Sequence, residues 1–456
     1  MEYALAGGSK DGGLISPLQF EQPPSQTYVQ QRRQARWLPT GASSGFTPTG
    51  MNMVRLTFTG TGWLDLSTMR IQSQINASQG TADSTITSFR VFSGPANWVD
   101  RFRISSQGTV LEDCHYYYKA HLMCDRLCSA EFMHDEHNMG WAKMLIDETN
   151  DTPATNGSQG KIYVGLGTTG QFIPRAMGLI RQGRWWPLSY APLTFELWIS
   201  DKDNWVVNDS DHGFGITIDN VCAFCDVVTL DSSMEESWSK YLLSGRTLTF
   251  PTTQIIGQYS VIPASKDVTV SLVRALTRLR SAWVIFGRDD IKDPQHFQHP
   301  DPRLGVAVSN GYCPDTNFSA QMSVGSRLFP ESPMDNWTHM YSQLKQTVGQ
   351  LDSTIRTMFP MSAFCNNHQG TPFMSFMLGF PFMRCDGYSN GIGTRAGDLL
   401  TLRLRNIPQI ADIAAKYATG ISNTDGASGN PIQHCWIFLF ADVLVQVGDG
   451  SIVVLD

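Results

Sequence analysis

The sequence predicts an all-β protein built as two sandwiches in tandem, and three observations carry that prediction. Charged residues make up only 16% of the 456 positions, whereas Gly (40), Pro (23), Phe (24) and Trp (12) are plentiful. Such a turn-rich, charge-poor composition disfavours long charged helices and coiled coils, and 41% hydrophobic residues disfavour disorder. Apolar residues recur mostly with a period of two, the mark of half-buried strands. The order of these strands in the first half is then repeated in the second.

Residues 1 to about 45 are rich in Gly, Ser, Pro and Gln and have little apolar periodicity, so they are expected to form an extended arm. Its one basic cluster, QQRRQAR, holds Arg32, Arg33 and Arg36. An arm of this composition stays ordered only if something holds it, and a neighbouring subunit is the obvious candidate. From residue 51 onward Val54, Leu56 and Phe58 alternate with Arg55 and Thr57, and after the turn GTGW Met69, Ile71 and Ile75 alternate with polar partners. Further strands are expected at Trp98 to Ile104, Lys161 to Val164, Leu193 to Ile199, Phe214 to Ile218 and Val221 to Leu230. Tyr117, His121, Cys124 and Cys128 fall on one face of a helix. Ser129 to Gly160 is a polar excursion too long for a hairpin loop.

After the bridge Asp231 to Gly245 the second set begins. Val268, Val270 and Leu272, then Ala282, Val284 and Phe286, then Leu400, Leu402 and Leu404, and finally His434 to Val447 mark its strands. Asp335 is the expected N-cap of a helix whose apolar stripe is Trp337, Tyr341, Leu344, Val348 and Leu351. A shorter helix is expected in IPQIADIAAKYATG, with Pro408 in its first turn and Gly420 past its end. The second polar excursion runs from about Gly287 to Pro333. APLTFELWIS with GITIDNVCAFCDVVTLD in the first half is matched by DLLTLRLRN with HCWIFLFADVLVQVGD in the second. A duplicated sandwich accounts for the match, and eight-stranded jelly rolls with two enlarged loops need about this length. The expected layout is therefore an arm over 1–45, a first jelly roll over 46–235 and a second over 236–456.

A net charge of −7 does not suit a protein that coats nucleic acid over most of its surface. The opening MEYALAGGSKDGG lacks the basic and apolar regions of a secretory signal, and the longest apolar runs are too short or too interrupted to span a bilayer. Nine cysteines, an odd and scattered set, fit free thiols of a reducing compartment better than a disulfide framework. Six Asn-x-Ser/Thr sequons, at Asn76, Asn150, Asn156, Asn208, Asn317 and Asn336, matter only for a secreted chain.

The run FSGPANWVDRFRISSQGTVLEDCHYYYKAHLM, between VRLTFTGTGWLDLSTMRIQSQI and WPLSYAPLTFELWIS, resembles the first jelly roll of major capsid proteins of Polinton-like viruses, relatives of virophages. The matching residues are Trp63-Leu64-Asp65, Ser93-Gly94-Pro95, Gly108, Leu111-Glu112-Asp113 and Tyr116 to Tyr118, with Leu111 where that family favours Val. TLDSSMEESWSKYLLSGRTL and ALTRLRSAWVIF extend the resemblance, which covers about residues 50 to 290. It implies a double jelly-roll subunit of a DNA-virus shell, three copies to a pseudo-hexagonal capsomer, with Ser129 to Gly160 and Gly287 to Pro333 as outer towers. The implied partners are further copies of the chain, penton and minor capsid proteins, and a host receptor reached through the outer loops; the implied location is the virion. No enzymatic activity and no cofactor are expected. The alternatives are a single-layer RNA virus capsid protein, which would use Arg32 to Arg36 to hold its genome, and a carbohydrate-binding β-sandwich.

Chemical motifs are few. GLGTTG, Gly165 to Gly170, matches the dinucleotide fingerprint GxGxxG, but Pro174 opposes the helix that fingerprint needs, so a β-turn is expected. His121, Cys124, Cys128, His134 and His137 could supply zinc ligands, yet three of them also form the helix stripe, where Cys serves as a small hydrophobe. Cys222 and Cys225 lie in a strand pattern rather than a metal knuckle, and His296 with His299 read as solvated loop residues. Arg274, Arg278 and Arg280 favour inter-subunit ion pairs over phosphate. Trp185, Trp186 and Tyr190 could form a sugar platform, though beside a strand they read as core or interface. Neither a GxSxG elbow nor an HExxH pair occurs.

Overall fold

The structure, a computed structural model, describes residues 28–78, 88–91, 95–127, 144–145, 162–165, 168–201, 206–207, 215–263, 265–287, 318–349, 377–382, 391–394, 398–407, 434–448 and 450–455. The first sandwich contains β1 (Val29–Trp37), β2 (Met53–Phe58), β3 (Trp63–Ser78), β4 (Ser88–Val91), β5 (Val99–Ser106), β6 (Thr109–His115), helix α1 (Tyr117–Arg126), β7 (Met144–Leu145), β8 (Ile162–Gly165) and β9 (Thr168–Phe172). The short helix α2 (Gly178–Arg181), β10 (Trp186–Pro187), β11 (Leu193–Ile199), β12 (Val206–Val207) and β13 (Gly215–Leu230) complete it. One sheet runs β1-β13-β3-β10 with β9 also on β3; the facing sheet runs β2-β11-β5-β6, and every pair is antiparallel. The strands alternate as their sequence period requires: Leu193, Phe195, Leu197 and Ile199 of β11 and Val54, Leu56 and Phe58 of β2 are buried. β5 and β6 are joined by the two-residue turn Gln107-Gly108, both with positive φ, which matches the twist of a tight hairpin.

Helix α3 (Ser232–Leu243), capped by Asp231, leads into the second sandwich. That sandwich comprises β14 (Leu248–Val261), β15 (Val268–Leu272), β16 (Leu279–Gly287), β17 (Ser319–Val324), β18 (Arg327–Met334), helix α4 (Trp337–Val348), β19 (Leu378–Pro381), β20 (Leu400–Arg405), β21 (His434–Val447) and β22 (Ile452–Leu455). Its sheets run β14-β21-β16-β19, with β22 on β21, and β15-β20-β17-β18. Strand for strand this repeats the first sandwich: β14 stands for β1, β15 for β2, β16 for β3, β17 and β18 for β5 and β6, α4 for α1, and β19, β20 and β21 for β9, β11 and β13. Both halves are jelly rolls.

Pairing registers place the long connections of the first sandwich at one end. The end of β3 lies beside the start of β13 (Ser78 opposite Gly215) and near the start of β9, and the end of β11 lies beside the start of β5 (Ile199 opposite Val99). The end of β6 meets the start of β5 there too, Arg101 opposite His115. Out of these connections rises a small extra sheet, β12-β4-β8-β7. In the second sandwich the ends of β16 and β20 and the starts of β21 and β17 share one end in the same way.

Several expectations need correction. Residues 29–37, expected within the arm, form β1: Ala35 and Trp37 pack on the core while Arg32 binds Asp226 and Asp65, both at 2.7 Å, across the neighbouring strands. The polarity that suggested an arm is that of an exposed edge strand, where charge discourages unwanted pairing. Asn220, with φ of 50°, carries the chain through a bulge, so the two strands expected at 214–218 and 221–230 are one. The bridge at Asp231 to Gly245 is helical. Asn336, not Asp335, caps α4, its side chain accepting the His339 N–H at 2.8 Å. The second excursion ends earlier than expected, because 319–334 is the β17–β18 hairpin; its buried Gln321 hides the apolar period by donating to the carbonyls of Pro330 and Glu331. Met144 and Leu145, within the first excursion, are strand β7. The remainder of both excursions and the helix expected over 407–420, apart from Ile407, lie outside the described residues.

Phe195 is fully buried, with its ring 4.6 Å from that of Phe58 and 5.4 Å from that of Phe102. Phe195→Ala is expected to lower the unfolding free energy by about 3–5 kcal/mol, read as a lower urea midpoint with unchanged slope.

Candidate assembly site: the joint between the sandwiches

β14 is the edge of its sheet, and its free side faces the first sandwich. The Trp186 and Phe250 rings pack tilted at 4.8 Å between centroids, Arg184 Nη1 donates to the Thr249 carbonyl at 2.5 Å, and the Gln254 side-chain amide donates to the Leu111 carbonyl. Farther along β14, Tyr259 packs on Tyr116 at 6.0 Å, and the Lys119 ammonium lies 4.1 Å over the Trp436 ring. Lys119 is only 2% exposed, a desolvated setting in which such a contact is worth about 2 kcal/mol. Two glycines permit the approach of backbone to backbone. A Cβ on Gly178 would sit 2.1 Å from the Thr253 carbonyl oxygen, and one on Gly257 would sit 2.4 Å from that of His115.

Glu112 organises the joint from the first sandwich. Its carboxylate is 1% exposed and accepts the Gly178 and Leu179 N–H groups at 2.7 and 3.0 Å. These are the leading amides of α2, whose own N-cap, Met177, offers no side-chain acceptor. Glu112 thus fixes the short helix that presses on β14. Burial pushes its pKa up to about 7, and the two backbone hydrogen bonds only partly offset that cost. Next to it, burial also acts on Asp113, but the bidentate pair with Arg101 (2.8 and 2.5 Å) and the nearby Arg103 hold it below its ordinary value.

Contacts along β14 also set orientation. His115 and Tyr116, where the long connections of the first sandwich begin, meet Gly257 and Tyr259; Tyr259 in turn lies beside His434 at the start of β21, the corresponding end of the second. Arg184 and Trp186 meet Thr249 and Phe250 at the opposite end. The sandwiches therefore stand side by side with their long connections at the same end. At the other end Trp63 donates to Glu235 at 3.2 Å and packs on Trp238 at 5.8 Å, so Trp63-Leu64-Asp65 at the start of β3 and the DSSMEESW helix meet.

The chemical motifs separate. After Gly165 the chain enters β9 at Thr168, so no helix opens to hold a pyrophosphate. His121 is buried, with Nε2 2.9 Å from the Ile173 carbonyl, and Cys124 is half-buried on the same helix; Cys128, His134, His137, His296 and His299 lie outside the described residues. Among the described residues no three His, Cys, Asp or Glu side chains form a metal-binding group. Cys222 and Cys225 are free and buried in β13, and burial raises the Cys225 thiol to about 12. Trp186 is wholly buried and donates to the Ala191 carbonyl at 2.6 Å, Trp185 packs beside Trp63, and Tyr190 bonds Ser239 at 2.6 Å; the three make no open platform. Arg274 is exposed before β16, Arg280 is exposed within it, and Arg278 is half-buried between them. Sequence reasoning missed Glu112 as a structural group. A lone acid amid the inward-facing residues Leu111 and Cys114 was the available signal.

No protein-family model and no curated protein matches the chain. Solved structures do. The crystal structure of PBCV-1 VP54 fitted into a reconstruction of the virophage Sputnik is similar at a TM-score of 0.62 and 11% identity, over 96% of this chain and 99% of that one. A chain of the quasi-atomic model of the PBCV-1 virus capsid gives 0.59 at 10% identity, over 96% and 99%, and the 3.5 Å structure of the Sputnik virophage gives 0.53 at 10%, over 97% and 92%. The shared architecture is the double jelly roll of viral capsid proteins.

The folded-state pKa of Glu112 lies above its ordinary 4.5, so the fold takes up a proton that the unfolded chain does not. The resulting stabilisation, about 3 kcal/mol, is fully present below pH 4.5 and is lost as pH rises through about 7. Glu112→Gln should flatten that part of the stability-against-pH curve in chemical denaturation. Gly178→Ala should cost about 1–3 kcal/mol by forcing α2 off β14, read as a lower thermal midpoint.

Proposed function

We propose that the chain is a major capsid protein, a structural subunit that trimerises into pseudo-hexagonal capsomers and builds an icosahedral shell around a double-stranded DNA genome. The observation that carries this reading is the joint: two jelly rolls with the same order of eight strands, held side by side with their long connections at one end. Such a chain is a two-lobed tile, and three of them supply six similar lobes around an axis. Similarity to the PBCV-1 capsid and Sputnik structures over nearly the whole chain supports the same reading. The protein acts by self-association rather than catalysis.

Charge bears on this too. With 16% charged residues and a net charge of −7, the surface suits burial against neighbouring tiles better than wrapping of a polyanion. Arg32 is committed to Asp65 and Asp226, which weakens the RNA-packaging alternative, and the burial of Trp186 removes the basis for a sugar platform. The end that carries the extra sheet β12-β4-β8-β7 is assigned to the outside of the shell, where it is placed to meet a host receptor. Penton and minor capsid proteins are the partners that hexagonal tiles require at vertices and seams.

Native mass spectrometry with negative-stain imaging of the purified chain tests the reading. Three-chain particles with a hexagonal outline are expected; a chain that stays monomeric at all concentrations overturns it.

A further inference from the structure

The joint inside the chain is heterologous: the β14 edge meets a different surface, made of β6 with α1 and α2. The second sandwich repeats the strands and the amphipathic helix of the first, though not α2 among the described residues, so the chain carries the main elements of both halves of a second such joint. One half is β1, the counterpart of β14. The other is β18 with α4, the counterparts of β6 and α1.

Exposure separates the used halves from the unused ones. In β14 no residue from Leu248 to Gln258 is exposed, whereas β1 is exposed throughout Gln30 to Gln34 and again at Arg36. Within β6 only Val110 is exposed, whereas β18 exposes Arg327, Leu328, Glu331 and Ser332. The first turn of α1, Tyr117 to Ala120, is wholly buried, while Thr338 in the first turn of α4 is exposed. Same topology with opposite exposure is what one joint made within the chain and its equivalent left open would produce.

We propose that β1 of one copy seats against β18 and the start of α4 of a second copy, in the way that β14 seats against β6 and α1. Charge fits this pairing. Arg33 is exposed and makes no ion pair among the described residues, and exposed Arg36 overlies Phe224 at 5.8 Å; across the joint stand exposed Glu331 and, just before α4, exposed Asp335. The geometry does not call for a shared ladder. β14 and β6 form none, although their backbones approach closely where Gly257 meets the His115 carbonyl, and Pro330 and Pro333 deny β18 the donors for one. A heterologous contact repeated head to tail closes into a ring or runs on as a filament. The inference deepens the shell reading and rests on it: in a ring of three copies each chain offers β1 once and β18 once.

Charge exchange in the full-length chain, read by native mass spectrometry over a concentration series, tests the pairing. Arg33→Glu and Glu331→Arg should each raise the trimer dissociation constant at least tenfold, and the double variant Arg33→Glu/Glu331→Arg should recover most of that loss. Circular dichroism melts confirm that each variant folds. Independently of any variant, amides 30–34 of the wild-type chain should exchange slowly in the trimer and rapidly on dilution to monomer. If trimers form with single-variant constants within twofold of wild type, or with amides 30–34 unprotected, this interface is wrong and the shell reading stands. A double variant no better than the single ones overturns the pairing in the same way. A wild-type chain that never associates overturns the shell reading itself.

Discussion

The lateral contact of β14 with β6, α1 and α2 is the constraint on which the rest of the molecule depends. A single jelly roll buries its own core and needs no neighbour, so nothing in either sandwich alone dictates how two of them stand. The joint decides it, with few groups: the Trp186–Phe250 ring contact at one end, Lys119 over Trp436 at the other, and two glycines that let backbone meet backbone between them. Removing Cβ at Gly178 and Gly257 is what allows the sandwiches to approach closely enough for these side chains to meet.

Glu112 shows how that contact is made specific. Burying a carboxylate is costly, and its two backbone hydrogen bonds do not recover the whole cost, as its raised pKa shows. In return α2, a single turn of helix with no cap of its own, is fixed where β14 needs a surface. Asp113, the next residue, behaves oppositely, because it points to the outer face of its sheet and finds Arg101 and Arg103 there. Adjacent carboxylates thus serve two roles, one inside the joint and one in a cross-strand ion network.

Legibility in the sequence followed burial on two distinct faces. β2, β11, β15 and β20 were plain because one face is core and the other is not, which is the condition for clean alternation. β14 was missed because its second side is covered by the other sandwich, so Thr252 and Gly257 are buried alongside Phe250 and Ile255 and the period fades. β1 was missed for the opposite reason, since most of it is exposed. Trp63-Leu64-Asp65 and Gly108 were visible as a pattern, but Arg32, which binds Asp65, lies in a strand that was missed, and Glu235 and Trp238, the partners of Trp63, lie far away in sequence.

By itself the sequence determined the class, the number of sandwiches and most of their strands, because period-two burial and turn chemistry are local properties. It also showed that the two halves share an order. Only the tertiary structure decided which strand of one sandwich meets which face of the other, that the long connections share one end, and that Glu112 is a buried cap rather than a surface acid. Those outcomes depend on contacts between residues 60 to 320 positions apart, such as Glu112 with Gly178 and Lys119 with Trp436. No local pattern encodes a meeting of that kind, because each partner alone satisfies the rules of its own strand or helix.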